Sequence, residues 1–194
     1  MTTLVIIAKE CLPGRVKTRL HPDVSYEQAA RLAAASLADT LAAGMGVPAS
    51  RRILAFDGRM MPRGSESYEV LPQTAGPLDE RLAAIFDAVD GPTVLAGMDT
   101  PQLRPLDLEA LFPWPEQVDF AFGPACDGDF WTLGMREPRG ELIRGVAMSQ
   151  DDTGMQQLNR LSATGGVIRL LAPLVDVDTI AEAWAVAALA PATE

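Results

Sequence analysis

The chain has 194 residues, of which 48% are hydrophobic and 22% charged, and a formal net charge of −10. That length and balance exclude a disordered chain and predict a single soluble domain over residues 1–194, large enough to bury most of its apolar surface. The acidic total excludes the extended basic surface that nucleic acid or an anionic membrane would require.

In chain order, "TLVIIA" (3–8) is a continuous apolar run of the kind that forms a central strand buried on both faces. It is far too short to span a membrane and is followed by "KECLPG" rather than a cleavage signal, which predicts a cytoplasmic protein. Ser25 and Gln28 form a capping-box pattern ahead of a helix over 26–44, with Leu32, Leu37 and Leu41 near one face. "RRILAF" (51–56) and "SYEVL" (67–71) read as strands. Pro77 introduces a helix over 78–89 with Leu78, Leu82, Ile85, Phe86 and Val89 on one stripe. "PTVLAGMDTP" (92–101) is a buried strand running into a turn, followed by a helix over 106–112. "VDFAFGPA" (118–125) and "DFWTLGM" (129–135) read as two strands joined through an Asp-Gly hairpin tip. A helix over 154–162, a strand over 165–177 and a terminal alanine-rich helix capped by Thr179 and Glu182 complete the chain. Alternation of β-branched runs with amphipathic helices is the α/β signature.

Ligands of open α/β sheets bind outside the carboxyl ends of the strands. Four polar clusters fall there. The first lies between strand one and helix one, where both of the chain's lysines, Lys9 and Lys17, join Arg15 and Arg19 around a turn at Pro13 and Gly14. Val16 stands where a P-loop needs glycine, so this is not that motif. Either the loop neutralises a di- or triphosphate, or it is solvated charge within an acidic protein. The second is "GMDTP", in which Asp99 either caps the turn or holds a divalent cation; Mg²⁺ needs only one or two carboxylates beside substrate phosphates and water. The third is "CDGD", whose Asp127 and Asp129 either form the turn or contact an acceptor hydroxyl. The fourth is "DVDT", with Asp176 and Asp178, which also reads as a helix start. His21, the sole histidine, supports neither a triad nor a zinc site. Cys11 and Cys126, far apart, are expected as free thiols.

In order and spacing, "LVIIAKECLPGRVKTRL", "QTAGPLDERL", "LAGMDTPQL", "GPACDGDFWTLGM" and "VDVDTIAEA" resemble bacterial glycosyltransferases or nucleotide-diphospho-sugar transferases, many of them a domain of unknown function. More distantly, the chain is similar to phospholactate guanylyltransferase and the molybdenum-cofactor nucleotidyltransferases. The resemblance implies a Rossmann-like A-type glycosyltransferase fold, a mixed, mostly parallel sheet flanked by helices. It implies that Lys9, Gly14, Arg15, Lys17 and Arg19 wrap nucleotide phosphates and that Asp99 binds Mg²⁺ or Mn²⁺, completed by Asp178 with Asp176 as its alternate. Lys17, Asp99 and Asp127 are then the expected catalytic residues, and Asp127 and Asp129 the expected acceptor contacts. The implied partners are a nucleoside triphosphate or nucleotide-sugar donor and a small acceptor. Relatives carry "DGGYYLIGL" where this chain has "DGDFWTLGM", placing Asp129 at a glycine and Phe130 at a tyrosine; a tryptophan-serine pair is common at Met148 and Ser149. A base for an acceptor hydroxyl would favour glycosyl transfer, whereas a second basic cluster would favour nucleotidyl transfer, for which the sequence offers only scattered arginines such as Arg136, Arg139 and Arg144. A nucleotide-binding module without catalysis is the third expectation.

Overall fold

Seven strands form one sheet because the apolar runs have side chains to bury on both faces, and the computed structural model, which describes residues 1–187, places helices on each side. Strand β1 (Thr3–Lys9) is central and pairs in parallel with β2 (Arg51–Asp57) and β4 (Thr93–Gly97). Beyond β2 lies β3 (Glu69–Pro72); beyond β4 come β6 (Phe130–Met135), β5 (Phe120–Pro124) and β7 (Ile168–Leu170), giving the order β3-β2-β1-β4-β6-β5-β7.

Alternation along β1 sorts the core into two layers. Leu4 and Ile6 meet α1 (Tyr26–Met45) through Leu37 and Leu41, together with α3 (Pro105–Leu108) through Leu108. On the other face Val5 shares a cluster with Leu82, Ile85 and Phe86 of α2 (Leu78–Asp87) and Leu161 of α4 (Thr153–Ser162). The Ser25–Gln28 capping box forms as the spacing predicts.

Only β6 runs against its neighbours. Two reversals leave β5 parallel to β4, so the 125–129 hairpin tip reaches the same sheet edge as the ends of β1 and β4. β7 is parallel to β5 and directs the chain to that edge again.

Several expectations shift. Leu32 faces solvent, since at about 100° per residue it lies on the opposite side of α1 from the buried Leu37 and Leu41. The helix expected over 106–112 starts at Pro105 and tightens after Leu108 into a 3₁₀ turn, Glu109–Leu111. The strand expected over 165–177 pairs only at Ile168–Leu170 and at an isolated Ala125–Leu174 bridge. Its remainder crosses the strand ends, tied by Leu174 N to Pro124 O, Cys126 N to Leu174 O and Val177 N to Asp99 O. The Thr179–Glu182 cap opens α5 (Ile180–Ala187); the rest of the expected terminal helix lies outside the described residues.

The hairpin tip is locked by close backbone approach. Gly128 has φ +96°, and a Cβ there would overlap the Asp151 carbonyl; its own carbonyl accepts from Gly154 N at 2.8 Å. Gly165 has φ +76° with open space around it. Gly165→Ala should therefore cost only the left-handed penalty of about 1–2 kcal/mol, a Tm fall of roughly 2–8 °C. Gly128→Ala should lower Tm by clearly more, and scanning calorimetry of the two variants checks the difference; equal falls would show that backbone approach at Gly128 contributes nothing beyond φ.

Candidate active site

The four polar clusters meet in one cleft of about 330 Å³ at the carboxyl ends of the strands. Lys9 ends β1 and Arg19 comes from the loop after it, Asp99 and Thr100 from the turn after β4, Asp127 and Asp129 from the hairpin, and Asp176 and Asp178 from the crossing segment. Gly14 and Arg15 sit on the exposed outer turn of the basic loop and do not line the cleft.

Lys17 does not line the cleft itself; its ammonium lies 2.5 Å from Asp99 Oδ1 and 2.9 Å from Asp178 Oδ1, with the lysine side chain 5% exposed. Arg19 reaches the second Asp178 oxygen at 3.0 Å from the solvent side. Burial opposes the charged form of Lys17, but Asp99 and Asp178 outweigh it and hold the ammonium above the ordinary lysine value. Burial likewise pushes the Asp178 carboxyl up, and the Lys17 and Arg19 charges bring it below the usual aspartate value. Lys17 adopts a left-handed backbone, φ 48°, between buried Val16 and buried Leu20. A non-glycine residue held there marks a position fixed by its surroundings.

The Asp99 end of β4 is braced from several sides. Ser36 of α1 donates to Met98 O at 2.7 Å, Val177 N donates to Asp99 O, and Gln102 Nε2 donates to Val175 O at 2.8 Å. Two carboxylates thus converge on one cation's position, although no group of three or more potential metal ligands is preformed among the described residues. That pair fits a hard ion such as Mg²⁺ or Mn²⁺ that takes its other ligands from phosphate and water.

Asp176 is more deeply placed: its Oδ1 is buried without a hydrogen-bond partner, and burial, reinforced by Asp99, Asp127 and Asp178 against Lys17, pushes its pKa up to about 7. Asp129 is raised too, first by burial; its carboxylate accepts from Phe130 N at 2.9 Å. Asp127 is exposed and accepts from Asp129 N at 3.1 Å.

Several lining residues escaped the sequence reading, Gln73, Arg81 and Thr100 among them. Gln73 donates through Nε2 to Ala8 O at 2.7 Å and Ala55 O at 2.9 Å, and its Oε1 receives Arg81 at 3.0 Å, fixing a guanidinium on the cleft wall with a buried, unpartnered Nε. The signal was present: Arg81 shares the helical stripe of Leu78, Leu82 and Ile85, where a charge has no packing reason to be. Thr100, 1% exposed, has a hydroxyl without a partner. Arg136, Arg139 and Arg144 stay out of the cleft; Arg144 pairs with Glu80 and Asp87 on α2, and Arg136 with Asp119. Both cysteines are free thiols, and burial, with Asp99 next, pushes Cys11 up to about 11.

A family model described as "Uncharacterized protein conserved in bacteria (DUF2064)" matches residues 40–150, a stretch that includes Asp99, Asp127 and Asp129. The chain belongs to the DUF2064 family. No curated protein sequence matches it. Among solved structures, this DUF2064 chain is similar to a "putative nucleotide-diphospho-sugar transferase" from Desulfovibrio desulfuricans G20, with a TM-score of 0.79 at 22% identity over 92% of this chain and 82% of that one. It is also similar to Rv0371c of Mycobacterium tuberculosis H37Rv in complex with manganese (TM-score 0.58, 20% identity, 95% and 96% coverage). CMP:2-keto-3-deoxy-manno-octonic acid synthetase complexed with CTP follows (0.59, 15%, 97% and 97%). The DUF2064 chain therefore has the α/β fold, a mixed and mostly parallel sheet flanked by helices, that nucleotide-sugar transferases and nucleotidyltransferases share. No helix among its described residues is long and apolar enough to cross a membrane.

An aspartate whose folded pKa lies above its unfolded value binds the extra proton in the folded state, so stability falls as pH rises between the two values. For Asp176 the window runs from 3.8 to about 7. In the presence of a chelator, the Tm of Asp176→Asn relative to wild type should climb through that window and level off above it, reaching several degrees at pH 8. A pH-independent difference in thermal melts would show that Asp176 does not titrate in this way.

Proposed function

We propose that the chain is a metal-dependent transferase, one nucleotide-binding domain over residues 1–194 that takes a nucleotide sugar and transfers the sugar to a small hydroxyl-bearing acceptor. The observation that carries this reading is the convergence in one cleft of Lys9, Arg19 and Arg81 with the Asp99–Asp178 pair. Fixed cations beside two carboxylates are what a metal-bound diphosphate requires.

In this reading Asp99 and Asp178 hold Mg²⁺ or Mn²⁺, which when bound stabilises negative charge on the departing diphosphate. Lys9 and Arg19 bind the phosphates, and Lys17 adds its ammonium to the charge they offset. Such preorganised positive charge is commonly the largest catalytic contribution. On the opposite wall Asp127 and Asp129 orient the acceptor, and Asp127, exposed at the hairpin tip, takes the proton of the attacking hydroxyl.

The composition of the acceptor wall supports glycosyl over nucleotidyl transfer. Asp127, Asp129, Asp151 and Asp176 line it, while the arginines that a phosphorylated acceptor would need are committed elsewhere or face another depression. Carboxylates suit hydroxyls and repel an incoming phosphate. The similarity to a CTP-bound synthetase supports nucleotidyl transfer as the second reading.

Melting the protein against nucleoside triphosphates and nucleotide sugars, with and without Mn²⁺, tests the reading. A ligand at about a hundredfold over its Kd adds roughly 2.7 kcal/mol, or roughly 5–11 °C here. Asp99→Asn should fold normally, lose the metal-dependent part of the shift and lose turnover by a factor of about 10²–10³. Binding without turnover of any donor would leave a non-catalytic nucleotide module, and no shift at all would remove the reading.

A further inference from the structure

Lys17 stands where a cation shared by Asp99 and Asp178 would stand. Its ammonium contacts one oxygen of each carboxylate, at 2.5 and 2.9 Å, and is nearly sealed from solvent, whereas the carboxylates remain 42% and 38% exposed. A divalent ion approaching from the cleft therefore reaches carboxylates already neutralised by a buried positive charge. It must either share them with that charge, at a separation where like charges repel strongly, or displace it. Displacement by the ion alone leaves a buried ammonium without partners, and that is costly.

We infer that Lys17 is a selectivity residue: it keeps free divalent metal off Asp99 and Asp178 and yields them to a metal–nucleotide complex, whose phosphates take the ammonium over. This rests on the reading of the cleft as a metal and nucleotide site. The surroundings suit the exchange. Buried Val16 and Leu20 pin the backbone on both sides of Lys17, so movement is confined to its flexible four-carbon stem. Arg19 holds the second oxygen of Asp178 from outside, which keeps that carboxylate in place when Nζ leaves. Lys9 and Arg19 already line the cleft and draw phosphate to the side from which Lys17 must be reached. The result is positive coupling: metal strengthens nucleotide binding, and nucleotide strengthens metal binding by the same factor.

The test measures Mn²⁺ affinity from the electron paramagnetic resonance signal of the free ion. Wild type, Lys17→Met and the double variant Lys17→Met with Asp99→Asn are titrated alone and with ADP, GDP, CDP and UDP. Mn²⁺ by itself should bind Lys17→Met about tenfold tighter than wild type, and the double variant should lose that gain. A diphosphate should strengthen Mn²⁺ binding to wild type about tenfold, and to Lys17→Met by distinctly less. Equal Mn²⁺ affinity of wild type and Lys17→Met in the absence of nucleotide would overturn the inference and leave the functional reading standing. Failure of every protein to bind Mn²⁺ with any of the four nucleotides would overturn the functional reading itself. Lys17→Gln, which keeps the chain length and a polar end, carries the same expectation if Lys17→Met does not fold.

Discussion

Two carboxylates facing each other across the open end of a sheet repel, and here one buried ammonium holds them together. Lys17, Asp99 and Asp178 belong to the loop after β1, the end of β4 and the segment beyond β7, so their joint ties the start, middle and end of the described chain at a single point. Everything around it serves to keep those three backbones in place. The antiparallel insertion of β6 leaves β5 and β7 parallel to β4 and so returns the later chain to that edge. Ser36, Gln102 and the Val177 amide then fix the two aspartate-bearing segments through backbone groups. A purely hydrophobic junction would hold as well, but it would give no charge to exchange with a ligand.

In the reading proposed above, the same joint lets a chain of net charge −10 offer a site to a polyanion. Long-range attraction is not available to it, so the cations have to be local and paired within reach of the ligand. Arg81 shows how one is afforded: Gln73 commits both amide hydrogens to carbonyls of β1 and β2 and uses its oxygen to orient the guanidinium. The cleft is thus divided, with Lys9, Arg19 and Arg81 from the β1 and α2 side and Asp127 and Asp129 from the hairpin side.

Much of this was legible before the structure. Strand and helix placement followed from periodicity, because buried parallel strands are continuous apolar runs and the helices carry clear caps. The four loops were found by asking which polar clusters follow strands. What pattern could not supply was distance. Nothing in the spacing of Lys17, Asp99 and Asp178 says that they touch, since that contact depends on the register of three parallel strands and on a crossing segment that local propensity reads as a longer strand at 165–177. Leu32 failed for a simpler reason: at about 100° per residue it falls on the far side of the helix from Leu37 and Leu41, which carry the packing. Arg81 was readable as a charge on an apolar stripe, but the stripe was taken whole.

The distribution of unsatisfied groups completes the picture. Among the described residues, five buried side-chain polar atoms lack a hydrogen-bond partner, and three of them, Arg81 Nε, Thr100 Oγ1 and Asp176 Oδ1, belong to residues lining the cleft. Each such atom costs the folded state about 1–3 kcal/mol, a cost that a sequence shaped for stability alone would remove by substituting apolar residues of similar shape. The three, a donor, an acceptor and a hydroxyl capable of both, are closed off from solvent, so they meet a ligand in the cleft only if a side chain turns toward it.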